Sequence, residues 1–251
     1  MQAHDMDEVI ALMNGVVAGY RDRRSPRALF AAMYRRVTLR VQSAIAGGAF
    51  VDGPRMDGLA TEFANRYFAA LEAIEHDRRL ARAWQIAFDA EARSHTMILQ
   101  HLLLGMNAHI NFDLPIAALA VTKDGNLADL ESDFYAITGV LVELLDPVQA
   151  VVNRFSPLLD VLDRVGGRTD ETIVTFSISN AREEAWHEAN RLAGEPPVLR
   201  ERSLLSLDRR VALLAERIIL PGGPCGLATD LIARTEVADI PVIVDALTAI
   251  P

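Results

Sequence analysis

Inside the otherwise apolar run HLLLGMNAHINFDLPIAALAV stand His101, Asn107, His109, Asn111 and Asp113. His109 and Asp113 are four residues apart. On one helix they lie a turn apart on the same face, about 6 Å along the axis. That spacing suits three roles. The carboxylate can hold the imidazole in one tautomer and make it a general acid or base. The pair can supply two ligands to a divalent metal that activates water, with His101 or His187 joining them. Or Asp113 can cap a helix while His109 makes one structural hydrogen bond. An unpaired polar group in apolar surroundings costs about 1–3 kcal/mol, so such a cluster must satisfy itself or bind something.

The remaining polar groups flank that pair. His101 precedes His109 by two turns and sits about 80° round the helix, where it can border a pocket. Asn107 and Asn111 form a second i,i+4 pair on the other side. An amide both donates and accepts, so they can crosslink a buried helix to its neighbours or hold a polar group of a substrate. Gly105 permits close helix approach or access to a ligand. Further on, Arg182, Trp186 and Asn190 repeat the four-residue spacing, with Glu183 and His187 beside them. Arg182 can pair with Asp113 or with an anionic substrate, and the plainer alternative is an amphipathic helix with internal ion pairs. There is no HExxH, no P-loop, no GxSxG and no paired-cysteine zinc pattern. Cys225 is the only cysteine, which excludes an intramolecular disulfide, and no base adjoins it.

Helices must position these groups. Residues 84, 88, 91, 95, 98, 102, 105, 109 and 113 step by four and three, which predicts one long helical face over about 82–112. Glu91 and His95 form their own pair on it. Around 103–112 the helix is apolar on most sides, which places it at the centre of a bundle. Two courses stay open at its end. Asp113 can be helical, or the bias of Pro115 against a helical predecessor can end the helix near Asn111, with Asp113 capping the segment 114–122. Apolar stripes predict helices through Val9–Tyr20, Leu29–Val37 and Leu59–Ile74. A turn is expected at Lys123–Asn126. Further helices are expected from Asp129 towards Val152 with a kink at Pro147, through LLDVLDRV to Gly166-Gly167, over 170–193 behind a Thr169 cap, and over 199–219. Pro196-Pro197 reads as a linker. The fold class is all-α: a single-domain multi-helix bundle over 1–251, with 198–251 as a C-terminal helical extension packed on it.

Composition sets the outer bounds. The chain has 251 residues, 51% hydrophobic and 24% charged, with net charge −9. That acidity argues against nucleic acid as a partner. The arginine clusters at 21–24, 35–40 and 78–82 read as solvated helix faces. The N-terminus lacks a basic-then-apolar leader pattern. The run 102–121 is long enough to tempt a membrane assignment, but its two Asn, His, Asp and Pro are expensive in hydrocarbon. A soluble, cytoplasmic protein without membrane insertion is the expectation.

GMNAHINFDLPIA resembles the central signature of a bacterial domain family of unknown function. The likeness extends upstream to ALFAAMYRRVT, to FVDGPRMDGLATEFANRYFAAL and to Trp84. Downstream it reaches the Asp-Phe of SDFYAITGVL and the Arg and Trp of AREEAW, so it covers most of residues 5–190. The resemblance implies one helical domain with His109, Asn111 and Asp113 as its most characteristic polar positions. The residue after Asn111 is often polar in that family and is Phe112 here. No activity comes with the resemblance. The residues themselves favour a small-molecule enzyme: His109 as acid or base, Asp113 orienting it, and His101, Asn107, Asn111, Arg182 or Trp186 contacting a largely apolar metabolite. Cyclisation, isomerisation or hydrolysis by proton transfer needs no further cofactor. A divalent-metal hydrolase is the second reading. A non-catalytic binding or scaffold protein, with the polar cluster fixing helix register or a homo-oligomer, is the third.

Overall fold

The apolar stripes fold as helices in chain order. The computed structural model describes residues 1–122, 126–159, 177–237 and 239–250, and every regular element among them is helical. Helix α1 (Met6–Asp22) buries Met6, Val9, Met13, Val16, Val17 and Tyr20, and the Asp5 side chain caps it by accepting from the Glu8 amide. Helix α2 (Arg27–Ala46) buries Leu29, Phe30, Met33 and Tyr34. Helix α3 (Gly53–Glu75) starts at an Asp52 cap that accepts from the Arg55 amide. An acidic cap satisfies a free amide and sits favourably at the positive end of the helix.

The single helix expected over about 82–112 is two helices. Helix α4 (Arg82–Asp89) runs into a 3-10 turn at Ala90–Ala92, and the chain breaks before α5 (Ile98–Ala108). His95, within the break, has φ +69°, a left-handed conformation that ends a helix. The first amides of α5 are capped by distant and local side chains. Gln100 Oε1 accepts from the Met97 amide and Glu236 Oε2 from the Ile98 amide. Glu91 does not pair with His95 but with Arg27, at 2.8 Å. The break lets α4 fold back to pack on α5, so Trp84 and Phe88 bury against it instead of extending its axis.

Pro115 does not end the central element. A wide π turn, His109–Asp113, joins α5 to α6 (Leu114–Val121), and the Leu114 amide donates five residues back to the His109 carbonyl. Proline lacks a donor and crowds the preceding turn, and it falls here in the first turn of α6, where both defects are tolerated. The segment Ile98–Val121 is long and apolar enough to cross a membrane, with 67% of its apolar window buried inside the fold.

The remaining helices enclose this axis. The segment expected as one kinked helix is α7 (Glu131–Val142) and α8 (Leu145–Phe155), bent by 40°, with Pro147 in the first turn of α8. Helix α9 (Ile178–Ala193) is capped by Ser177, whose side chain accepts from the Asn180 amide. Pro196-Pro197 is the N-terminus of α10 (Pro197–Ile219) rather than a linker, a place where proline costs nothing. Helices α11 (Gly223–Thr235) and α12 (Ile240–Thr248) follow. Helix α10 packs on α4 and α5, α9 on α6 and the π turn, and α12 on α2. The turn at 123–125, the helix LLDVLDRV beyond Leu159 with its Gly166-Gly167 stop, and the Thr169 cap lie outside the described residues.

Candidate functional site

The π turn sets the geometry of the central pair. His109 Nδ1 and Asp113 Oδ2 are 3.0 Å apart, and both side chains are buried. Asp113 has helical backbone angles and makes no capping bond, so the open question at Pro115 closes in favour of a helical Asp113. Trp84 Nε1 donates to the same Oδ2 at 2.9 Å. An indole N–H only donates and a carboxylate oxygen only accepts, so with Asp113 ionised it is His109 Nδ1 that carries the proton. The imidazole is then the Nδ1–H tautomer with a lone pair on Nε2. That Nε2 is buried and has no hydrogen-bond partner among the described residues.

An aromatic cage surrounds the imidazole. Phe63 stacks on it at 3.5 Å between centroids and 5° between planes, and Tyr34 meets its edge at 4.5 Å. Phe30, Tyr67 and Trp84 complete the wall. Desolvation by this cage lowers the His109 pKa, and the hydrogen bond and charge of Asp113 oppose it. Burial and the Asp113 charge push the Tyr34 phenol well up, which keeps it protonated.

His109 lines a cavity of about 480 Å³. Helices α2 and α5 give its inner wall through Met33, Tyr34, Leu102 and Met106, and α8 gives the outer wall through Val148 and Val152. Gln149, Asn153 and Ser179, all exposed, stand at its outer end. The size falls in the range of small-molecule pockets.

The structure divides the residues singled out in the sequence. His109, Asp113 and Arg182 belong to the cavity or to the group that lines it. Arg182 does not pair with Asp113: its Nε donates to Thr138 Oγ1 at 3.2 Å, Nη2 donates to the Phe134 carbonyl, and the guanidinium lies 4.5 Å from the Phe134 ring centroid. Asn107 and Asn111 are a crosslink instead of cavity groups. Asn107 Nδ2 donates to the Val211 carbonyl on α10 at 3.0 Å, and Asn111 Nδ2 donates to Asn107 Oδ1 at 2.9 Å. His101 faces a separate small cavity with Phe88, Trp84 and Gly105, and desolvation lowers its pKa to about 4. Trp186 is buried against Phe134, at 4.7 Å between centroids, in a second apolar cluster. His187 is exposed beside Glu183. Among the described residues no three His, Cys, Asp or Glu side chains converge as a metal site. His109 offers a single nitrogen, because Asp113 holds the other.

Five participants carry no sequence signal as site residues: Phe30, Tyr34, Phe63, Tyr67 and the Trp84 indole. Each sits on an apolar stripe and carries no spacing signal towards His109. Trp84 was placed on the same helical face as Asp113, but it arrives there by the fold-back of α4.

A family model described as a family of unknown function (DUF5995) matches residues 6–221. The chain belongs to that family. No curated protein and no solved structure matches it.

Proposed function

We propose that this member of the family is a small-molecule enzyme that uses the Asp113–His109 dyad for proton transfer on a largely apolar substrate. One observation carries the reading: the buried Nε2 of His109 has no partner among the described residues, and His109 lines a cavity of about 480 Å³. An inert core has little reason to keep such a group, which costs about 1–3 kcal/mol unless something meets it. A bound substrate supplies the missing partner. Asp113 and Trp84 hold the tautomer that leaves the Nε2 lone pair without a partner, and the lowered pKa keeps that nitrogen unprotonated at neutral pH. The imidazole then takes a proton from a substrate O–H, N–H or acidic C–H. The imidazolium formed is stabilised by the carboxylate behind it and returns the proton to the product. Cyclisation, isomerisation and hydrolysis are all within reach of this step.

The test uses untargeted mass spectrometry. An apolar metabolite extract is incubated with wild type and with His109→Ala, and folding is checked by circular dichroism. The expected result is a compound consumed by the wild type alone. Equal consumption by a folded His109→Ala would sink the acid–base assignment.

A further inference from the structure

We infer that the cavity takes an amphipathic carboxylic acid, with its carboxylate on Arg182 and its apolar body along α2, α5 and α8. The inference rests on the reading of this cavity as a substrate pocket and adds the class of molecule.

Arg182 is 5% exposed, and among the described residues no carboxylate pairs with it. Its neighbours are neutral: a carbonyl, a hydroxyl and an aromatic ring. A guanidinium carries five N–H donors in a planar fork. Two of its donors are used, and Nη1 has no partner among the described residues. The acids of its own helix do not serve it, since Glu183 and Glu184 are exposed on α9 and Glu183 turns to His187. Burial pulls the Arg182 pKa down to about 9, yet the side chain stays charged at neutral pH. A buried charge without a counter-ion is strongly destabilising. Here it borders the main cavity and also a smaller one that adjoins it at Tyr34, Val37 and Phe63. Arg182 is the sole ionic side chain among the described lining residues, and most of the others are apolar.

The fork of a guanidinium matches the two oxygens of a carboxylate. His109 is a poor seat for an anion: it carries a lone pair on Nε2 and has the Asp113 carboxylate on its other nitrogen. The acid head therefore belongs at Arg182 and the reacting segment at His109.

The experiment is isothermal titration calorimetry at pH 7.5 with decanoate and with decanol, on wild type, Arg182→Gln, Arg182→Lys and His109→Ala. Wild type is expected to bind decanoate at least about tenfold more tightly than decanol, as a charge-assisted pair implies. Arg182→Gln should bring the two ligands within about twofold, and Arg182→Lys should keep part of the preference. If Arg182→Gln does not fold, the wild-type preference and its weakening in Arg182→Lys decide. Equal binding of the two ligands by wild type, binding of neither, or an undiminished preference in the Arg182 variants overturns the inference. His109→Ala separates the two readings. Preference for decanoate kept while metabolite turnover is lost supports both. Preference kept with turnover unchanged overturns only the acid–base role, and His109-dependent turnover without preference overturns only the carboxylate assignment.

Discussion

Asp113 Oδ2 receives two N–H donors, from Trp84 and His109, and the fate of the imidazole hangs on that one oxygen. Asp113→Asn keeps the shape and removes the charge. Its amide oxygen can still accept, but it no longer stabilises an imidazolium. The expected outcome is a drop in turnover of about 100-fold or more, in line with the role of an orienting carboxylate, with a stability loss of roughly 1–3 kcal/mol in urea titration. Trp84→Phe leaves the charge in place. It removes one donor and three ring atoms from a buried side chain, so a loss of roughly 1–3 kcal/mol is expected from the lost bond and the cavity together. Nitrogen-15 NMR of the imidazole reads the result directly. Wild type should show the neutral Nδ1–H tautomer at pH 6.5, because burial lowers the His109 pKa. Asp113→Asn should mix the tautomers. A single unchanged tautomer in that variant would mean that Asp113 does not orient the ring.

At the scale of elements, close contact between α2 and α5 shapes both the cavity and the cage. A Cβ on Gly105 would lie 2.4 Å from Phe30 Cγ. The clash falls on the root of the Phe30 side chain, which moves only with the α2 backbone or with the ring packed on Tyr34, Tyr67 and Trp84. Gly105→Ala gains about 1 kcal/mol of helix propensity but overpacks the contact by about 1–3 kcal/mol. Net destabilisation in thermal melts is expected, together with a shifted His109 resonance. Asn107→Leu should cost roughly 1–3 kcal/mol by removing the bond to the Val211 carbonyl and stranding the Asn111 amide. These two sites show what a sequence makes legible. The 3.6-residue spacing of α1 to α3 and the small size of Gly105 are local signals, and they pointed to helices and to a close approach. The i,i+4 spacing of His109 and Asp113 was local as well. The break before Ile98 was not, because half of its cap comes from Glu236 on the far side of the chain. The π turn was equally hidden. It preserves the neighbourhood of His109 and Asp113 while carrying the chain past Pro115, and no single residue type announces it. Phe63 and Tyr34 reach the imidazole through packing of separate helices, which spacing along one helix cannot express.

For the molecule as a whole, two desolvated histidines, the buried His109 and the half-buried His101, bear on the response to acid. Desolvation holds the His101 pKa at about 4 and lowers that of His109. Both groups are bases with folded pKa values below their unfolded value near 6.5. Above that value both states are neutral at these positions, and the full stability is present. As pH falls below it the unfolded chain takes up protons that the folded chain resists, so stability drops until the lowered pKa is passed, near 4 for His101. Glu236 acts the other way, because burial raises its pKa and the folded state takes its proton more readily. The overall charge also works against the histidines. Net charge −9 shrinks towards zero at the isoelectric point of about 5.2, which relieves self-repulsion and favours the compact state. The signs therefore separate the causes. If the desolvated histidines dominate, the melting midpoint falls by roughly 5–10 °C between pH 7 and pH 5. If general charge dominates, it holds or rises. Scanning calorimetry across that interval on wild type and on the double variant His101→Gln, His109→Gln distinguishes them. The variant is expected to start lower, since each glutamine disturbs its site, but to lose little further with acid. A slope as steep as that of wild type would show that neither histidine is held neutral by burial, and with it would go the free lone pair on which proton transfer at Nε2 depends.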